Sequence, residues 1–183
     1  MSTKNSYSQQ LREEFTNFID TLELNDRQKH YLKSRWLDQV LWMEGKANQS
    51  RERYYQLRLI SIIGGLIVPI LVSLNIDTKP LDSYVKAVTI ALSGVVAVST
   101  SIEEFFHYGE RWRHYRRTTE TLKAEGWQLF ELSGSYGNYK THEEAFKNFA
   151  GNVEAIIQSD VEVYVTKVTE ENKKKEEEKQ SET

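Results

Sequence analysis

The chain carries two long apolar runs that are separated by a short polar segment. The first is LISIIGGLIVPILVSL, residues 59–74, and the second is VKAVTIALSGVVAVSTSI, residues 85–102. A helix needs roughly 20 residues to cross about 30 Å of hydrocarbon, so each run must recruit residues from its flanks. The pair therefore predicts a transmembrane hairpin with spans of about 57–74 and 85–106. A soluble protein with a buried helical hairpin is the alternative, because apolar runs also occur in protein cores.

Basic residues flank the hairpin on its two outer sides. Lys46, Arg51, Arg53 and Arg58 precede the first run, and Arg111, Arg113, Arg116 and Arg117 follow the second, whereas the connecting loop has Lys79, with Lys86 at its edge. Basic residues near spans accumulate on the cytoplasmic side, so both termini are predicted to be cytoplasmic in a multi-pass protein of the plasma membrane. No apolar segment occurs within residues 1–30, and the first span is expected to serve as its own insertion signal.

Helical periodicity divides the remainder of the chain and predicts an all-α integral membrane protein with long cytoplasmic helical extensions. The predicted segments are a short N-terminal helix within 1–25, a cytoplasmic helix over 26–56, the transmembrane hairpin over 57–106, a cytoplasmic helical region over 107–170 and a disordered charged tail over 171–183. One apolar face is expected in the second of these segments, formed by Tyr31, Leu32, Trp36, Leu37, Val40, Met43 and Ala47.

Several local signals set the expected helix boundaries. Asp26 is expected to cap the helix that it precedes. Pro69 should bend the first span, because proline cannot donate a hydrogen bond to the carbonyl of residue 65. No breaker occurs between the second span and Gly126, so one uninterrupted helix is expected there, and SGSYGN at 133–138 should end it. The alternating segment VEVYVTKV resembles a strand, but helix is preferred because no partner strand is nearby.

Motifs for catalysis are missing from the sequence. It has no P-loop, GxSxG, Rossmann or HExxH pattern, and four histidines without a cysteine offer little material for an active site. We therefore expect neither enzyme activity nor a cofactor. Glu103, His107, Glu110 and His114 bring carboxylates and imidazoles to one helical face, but a solvated surface is the preferred interpretation and no metal site is predicted.

Polar residues recur along the second span at alternating three- and four-residue steps, which places them on one helical face. The stripe consists of Lys86, Thr89, Ser93, Val96, Thr100, Glu103, His107, Glu110 and His114. Hydroxyl groups facing lipid are unfavourable, and a seven-residue repeat favours a left-handed supercoil.

We therefore expect a homo-oligomeric ring in which the stripe, from Lys86 through Glu110, lines a conduit for ions. Val96 would form an apolar constriction, and Glu103 and Glu110 would form acidic rings that weakly favour cations. The alternative is plain packing, in which the hydroxyls bond their own helix or its neighbour.

Two further groups of residues are assigned to packing and to lipid contact. Close helix approach is expected at Gly64, Gly65, Pro69, Ala97 and Ser101 within the spans. Contact with anionic lipid headgroups is expected at Arg58, Arg111, Arg113, Arg116 and Arg117. Nucleic acid is not an expected partner, because the arginine cluster adjoins a span and the net charge of the chain is −3.

Three segments give the chain a resemblance to a known family. They are RWLDQVLWMEGKANQSRERYYQLR before the first span, GGLIVPIL within it, and SIEEFFHYGERWRHYRRTTETLKAEGWQLF after the second. In order and spacing the chain resembles SLATT-type two-transmembrane domains, a bacterial family, over residues 28–168. The resemblance implies a helical cytoplasmic stalk, oligomerisation as a pore-forming effector, and coupling to nucleotide-signal or conflict systems in many members. We expect no attached sensor domain in this chain, so that a trigger either comes from a separate cytoplasmic regulator or is absent.

The leading hypothesis is an oligomeric membrane ion channel or pore, weakly cation-preferring, with the second span lining the conduit. Its partners are then the lipid bilayer, further copies of the chain and ions. The alternative is a non-conducting, membrane-anchored helical scaffold that recruits cytoplasmic partners.

Overall fold

A computed structural model of the chain describes the backbone of residues 2–74 and 81–181 and the side chains of 7–74 and 81–162. Its helices are α1 (Ser2–Thr21), α2 (Asp26–Tyr31), a π-helical segment (Leu32–Leu37), α3 (Asp38–Ser73), α4 (Leu81–Phe106), α5 (Tyr108–Phe130), a 3₁₀ turn (Gly134–Tyr136) and α6 (His142–Ser181). No strand occurs in this described part of the chain, which confirms the all-α prediction.

The chain divides into two compact units, and each is described by itself. Unit 1 comprises Met1–Met43 and Arg117–Thr183, and unit 2 comprises Glu44–Arg116. The unit boundaries fall inside α3 and α5. The predicted cytoplasmic segments 26–56 and 107–170 therefore each contribute residues to both units.

A capping box begins α2. Asn25 Oδ1 accepts a hydrogen bond from the Gln28 backbone N–H at 3.0 Å, and the Gln28 side chain accepts one from the Asn25 backbone N–H at 3.1 Å. Asn25 is therefore the N-cap, and the assignment of this role to Asp26 is wrong by one residue. Asp26 instead lies in the first turn, where its negative charge interacts favourably with the positive end of the helix dipole.

An aromatic core holds unit 1 together. Trp36 in the π-helical segment is fully buried, and its Nε1–H donates a hydrogen bond to the Leu122 backbone carbonyl at 2.8 Å. The rings of Phe15 and Phe130 lie 5.2 and 5.7 Å from the Trp36 ring. Gly126 makes room for this indole, because a Cβ at that position would lie 2.1 Å from Trp36 Cζ2. The predicted apolar face is confirmed, since its members from Leu32 onward are all buried.

An ion pair joins α6 to the π-helical segment within unit 1. Arg35 donates two hydrogen bonds to the Glu154 carboxylate, at 2.9 and 2.7 Å, and Tyr31 Oη donates a third at 2.8 Å. The hydrogen bond from Arg35 is the main reason that the pKa of Glu154 lies below its usual value. Burial and the neighbouring Glu154 raise the pKa of Tyr31, so its hydroxyl remains a neutral donor.

The turn between α5 and α6 confirms that SGSYGN ends the preceding helix. Leu132 and Gly134 adopt positive φ values of 44° and 54°, which turn the chain out of the helix. Tyr136 is fully buried below this turn, where its Oη donates to Glu125 and accepts a hydrogen bond from Asn152 Nδ2 at 2.9 Å. Burial, followed by the bond to Glu125, raises the pKa of Tyr136.

Two helices are long and apolar enough to span a membrane. They are Asp26–Ser73, which joins α2, the π-helical segment and α3, and Leu81–Phe106, which is α4. Only 6% of the apolar window of each helix is buried. A core helix of a soluble protein buries most of such a window, so this exposure argues against the buried-hairpin alternative.

One residue interrupts the helix that follows the second apolar run. α4 ends at Phe106 and α5 begins at Tyr108, with His107 between them at a φ of 49°. The His107 N–H still bonds the Glu103 carbonyl at 2.9 Å, and the Arg111 N–H bonds the His107 carbonyl at 3.0 Å. The prediction of an uninterrupted helix is therefore wrong at His107. Histidine is among the residues that adopt positive φ more often than most, but it is not a reliable breaker in a sequence.

Other helix ends also differ from the predictions. α4 begins at Leu81 instead of residue 85, and the loop residues 75–80, with Lys79, lie outside the described residues. α6 extends to Ser181 and includes most of the predicted disordered tail, where Lys, Glu and Gln are good helix formers. α3 continues through Pro69, so the bend expected there stays a prediction.

Candidate functional site

The candidate site is the outer surface of the hairpin that α3 and α4 form in unit 2. Between the two helices lies a seam of positions that are less exposed than their neighbours. The seam consists of Leu57, Ser61, Gly64, Val68 and Leu71 in α3 and of Val85, Thr89, Leu92, Val96, Ser99 and Glu103 in α4. Gly64 permits the closest approach, because a Cβ there would lie 2.2 Å from Val96 Cγ2.

Most polar and small residues of the hairpin lie on one side, together with three exposed aliphatic residues. Because α3 and α4 run in opposite directions, the residue that follows a seam position points to the same side in both helices. The hydroxyl oxygens of Ser61 and Thr100 meet on this side at 3.1 Å. We call it the polar face, and it consists of Arg58, Ile62, Gly65, Pro69 and Val72 of α3 and of Lys86, Ile90, Ser93, Ala97, Thr100 and Glu104 of α4. Its aliphatic members Ile62, Val72 and Ile90 are 51, 70 and 74% exposed.

Large aliphatic residues occupy the opposite side, at positions that precede the seam residues. We call this the aliphatic face, and it includes Ile60, Ile63, Ile67 and Ile70 of α3 and Val88, Val95, Val98 and Ile102 of α4. Their exposed fractions range from 37 to 60%. Hydrocarbon accommodates such side chains favourably, whereas hydroxyl and charged groups are costly there. The aliphatic face therefore suits hydrocarbon throughout, whereas the polar face combines hydroxyl and charged groups with three aliphatic side chains.

Hydroxyl groups of α4 bond backbone carbonyls of their own helix. Thr89 donates to the Val85 carbonyl at 2.7 Å, Ser93 to the Thr89 carbonyl at 2.8 Å, and Thr100 to the Val96 carbonyl at 3.0 Å. Each hydroxyl hydrogen is used in this way, while the oxygen keeps lone pairs that can accept. Ser93 and Thr100 therefore present acceptor groups on the polar face.

The predicted pore residues are divided between the seam and the exposed surface. Thr89, Ser93, Val96 and Glu103 are half-buried, whereas Lys86, Thr100, His107 and Glu110 are exposed. Val96, the expected constriction, packs against Gly64 of the same chain. Lys86 pairs with Asp82 at 2.8 Å, which offsets its positive charge. The role of the predicted pore residues in lining a conduit stays a prediction.

The predicted packing residues divide in a similar way. Gly64 lies at the close contact in the seam, whereas Gly65, Pro69, Ala97 and Ser101 are exposed. No heavy atom approaches within 4 Å of the Cβ position of Gly65. A close contact at these exposed positions therefore requires a second chain or lipid.

Aromatic contacts fix α3 against the start of α5 within unit 2. A Cβ on Gly109 would lie 2.9 Å from Tyr54 Cε2, and the Tyr54 and Trp112 rings stack at 6.3 Å. The Arg53 guanidinium lies over the Tyr108 ring at 5.5 Å and donates to Tyr108 Oη at 3.2 Å. The sequence carries aromatic residues on both flanks of the hairpin, but their spacing does not predict this packing, because the break at His107 sets the direction of α5.

The arginines predicted to meet lipid headgroups are not equivalent. Arg116 pairs with the buried carboxylate of Glu44 at 2.9 Å, so its charge is paired within the protein. Arg58, Arg111 and Arg113 are exposed and form no ion pair with any described residue. Arg117 belongs to unit 1 and is considered separately from the hairpin.

The acidic and histidine residues beyond α4 are not gathered into a ligand set. Within residues 7–74 and 81–162, no group of three or more His, Asp or Glu side chains is placed to hold a metal ion. The helical spacing of Glu103, His107, Glu110 and His114 therefore does not bring these side chains together at one metal-binding position within one chain.

The chain is an all-helical protein with two helices long enough to span a membrane, and it belongs to the family DUF4231, described as a protein of unknown function. The family model matches residues 38–144, which is more than half of the 183 residues and includes all of unit 2. This match names no activity and does not confirm the resemblance to SLATT-type domains. No curated protein and no solved structure matches the chain.

Proposed function

We propose that the protein is a homo-oligomeric ion channel of the plasma membrane, in which α3 and α4 cross the bilayer and the polar face borders the conduit. The contrast between the polar and aliphatic faces of one hairpin carries this proposal. In a ring of hairpins the aliphatic face meets lipid and the polar face meets the shared centre, so each lies in the environment that suits it. The flanking basic residues favour cytoplasmic termini.

The chemistry of the polar face suits cations weakly. The Ser93 and Thr100 hydroxyls donate to their own helix, so their oxygens are left as acceptors for a permeating cation. Glu104 adds an exposed negative charge at the inner end of the face, where Arg58 adds an exposed positive charge, so the preference for cations is weak. Rings of such carboxylates favour cations over anions, while the Lys86–Asp82 pair removes the opposing charge at the outer end.

Single-channel recording tests the proposal directly. The purified full-length chain in planar bilayers should give unitary currents with a modest preference for cations. Glu104→Gln should lower that preference and the conductance, because it removes one charge from every subunit at the mouth. Glu14→Gln removes a charge from α1 and should leave both unchanged. A folded chain that is silent in bilayers and monomeric in detergent contradicts the proposal.

The second candidate function is a non-conducting, membrane-anchored scaffold. It is favoured by the hydroxyls of α4, whose donors are satisfied without any second chain or water. On this account the polar face contacts other membrane helices by plain packing, and cytoplasmic partners bind elsewhere. Partner capture that is unchanged by Glu104→Gln, in a chain without currents, would favour the scaffold.

A further inference from the structure

An open apolar groove lies on the surface of α4, close to the C-terminal end of the helix. It is lined by Ala97, Val98, Ser101, Ile102, Phe105 and Phe106. Phe105 and Phe106 are 68% and 42% exposed, so two large rings offer apolar surface at the point where the helix ends. A groove of this shape and polarity suits an acyl chain, because the aromatic rings and short side chains leave a continuous apolar surface.

Two exposed arginines follow the groove along the chain. Arg111 and Arg113 lie five and seven positions after Phe106, in the first two turns of α5 beyond the break at His107. Both are exposed and form no ion pair with a described residue. Glu110 is the acidic residue in the same turn of α5, so the two guanidinium groups outnumber the nearby carboxylate.

We propose that unit 2 binds an anionic phospholipid of the cytoplasmic leaflet, with an acyl chain in the groove and the phosphate at Arg111 and Arg113. The headgroup layer extends roughly 5–8 Å beyond the hydrocarbon on each side. Arg111 and Arg113 follow within seven residues of Phe106, at the end of the apolar helix. The guanidinium group binds phosphate oxygens through two parallel hydrogen bonds, which an ammonium group cannot do. Groove and cations together specify a lipid and not a free anion.

Neighbouring contacts keep these arginines in position. Gly109 packs against Tyr54, and Tyr108 accepts a hydrogen bond from Arg53, so the first turn of α5 is held against α3. Trp112, between the two arginines, stacks on Tyr54 at 6.3 Å. The backbone that carries Arg111 and Arg113 is thereby fixed without using their charges.

Native mass spectrometry of the full-length chain in detergent measures the binding constants. Dioleoylphosphatidylglycerol should bind more tightly than dioleoylphosphatidylcholine, which has the same acyl chains but no net charge. The double variant Arg111→Gln/Arg113→Gln should weaken phosphatidylglycerol binding about 25-fold at low salt, at roughly fivefold for each arginine, and weaken phosphatidylcholine binding less, because the choline ammonium offsets the charge of the same phosphate. The matched control Arg27→Gln/Lys147→Gln removes the same charge from exposed sites in unit 1 and should have no effect.

Two further arms separate a lipid site from an anion site. Glycerophosphoglycerol, which is the same headgroup without acyl chains, and inorganic phosphate should both fail to compete with the lipid at equal concentration. Phe105→Ala should weaken both phospholipids, because it removes a wall of the groove. Competition by inorganic phosphate, or equal affinity for the two phospholipids, overturns the proposal.

A folding control keeps the result interpretable. Circular dichroism of the double variant should show unchanged helicity, and the single variant Arg113→Gln should give the fivefold loss if the double variant unfolds. Unchanged lipid affinity in folded Arg113→Gln overturns the assignment. The inference depends on the membrane placement of the proposed function and not on conduction. Unitary currents without selective lipid binding refute this inference alone, whereas selective binding in a silent chain refutes the channel alone.

Discussion

Single glycine positions determine how closely the helices of each unit pack, and Gly126 shows this at the residue scale. A Cβ there would lie 2.1 Å from the fully buried Trp36 ring. Gly126→Ala should therefore destabilise the protein by about 1–3 kcal/mol, because the indole cannot move without disturbing the aromatic core. Thermal unfolding followed by circular dichroism measures the loss.

Gly151 supplies the matched control within the same unit. It lies in α6, is exposed and has no heavy atom within 4 Å of its Cβ position. Gly151→Ala should leave stability unchanged or raise it by up to about 1 kcal/mol, because alanine is the better helix former. Equal effects of the two substitutions would show that the close contact at Gly126 is not present in the folded protein.

The ion pair of Arg35 and Glu154 gives unit 1 a dependence on pH. The pKa of Glu154 is lower in the folded protein than its ordinary value of 4.5, so the pair stabilises the fold above that value. This stability is lost as the pH falls through the folded pKa. Both side chains are nearly half exposed, so the contribution is only about 0.2–1 kcal/mol.

Melting temperatures between pH 7 and pH 3 measure this contribution. Glu154→Gln should melt slightly lower than the native chain at pH 7, and the difference should shrink below pH 4.5. Glu14→Gln, which removes an exposed carboxylate from α1, should follow the native chain throughout. A constant difference across the range would mean that the loss comes from packing and not from the charge.

At the scale of the elements, the seam between α3 and α4 depends on Gly64. Gly64→Ala should weaken the hairpin by about 1–3 kcal/mol, because its methyl group would meet Val96 Cγ2. Adding Val96→Ala should restore part of the loss, since it removes the opposing methyl groups. Gly45→Ala, at an open position of α3, is the control. Additive losses in the double variant would contradict the contact, and thermal unfolding in detergent distinguishes these outcomes.

Periodicity predicted most of the elements because helix faces leave a direct signature in a sequence. The apolar steps from Leu32 to Met43 led correctly to the buried face of the helix, and SGSYGN led to the end of α5. The two apolar runs likewise located α3 and α4. Each of these signals is local, so no knowledge of the rest of the chain is needed to interpret it.

The remaining features depend on contacts between distant residues. The break at His107 has no proline or glycine at its position, and it belongs with the Tyr54–Gly109 contact that the helix spacing does not encode. The ion pair of Arg116 and Glu44 joins residues far apart in sequence. The position of Arg116 beside the second span therefore predicted contact with lipid headgroups and not this pair. Asn25 and Asp26 are both acceptable caps, and the side chain of Gln28 decides between them.

At the scale of the whole molecule, the exposed polar residues of α4 differ from the stripe that heptad spacing predicts. Thr89, Val96 and Glu103 lie in the seam, while Ala97 and Glu104 join Thr100 on the exposed polar face. Spacing placed the stripe on one side of α4 but did not show which of its members pack against α3, because the position of α3 is not contained in the α4 sequence. The face proposed to border the conduit is therefore centred one residue further along α4 than the predicted stripe.

Thiol accessibility in lipid tests the central claim, that the polar face meets water and the aliphatic face meets hydrocarbon. The native chain has no cysteine, so Thr100→Cys and Val95→Cys each introduce a single reactive group. In reconstituted vesicles a charged, membrane-impermeant methanethiosulfonate reagent should modify Thr100→Cys and reduce its current, while Val95→Cys remains unmodified. Modification of Val95→Cys with protection of Thr100→Cys would contradict the account.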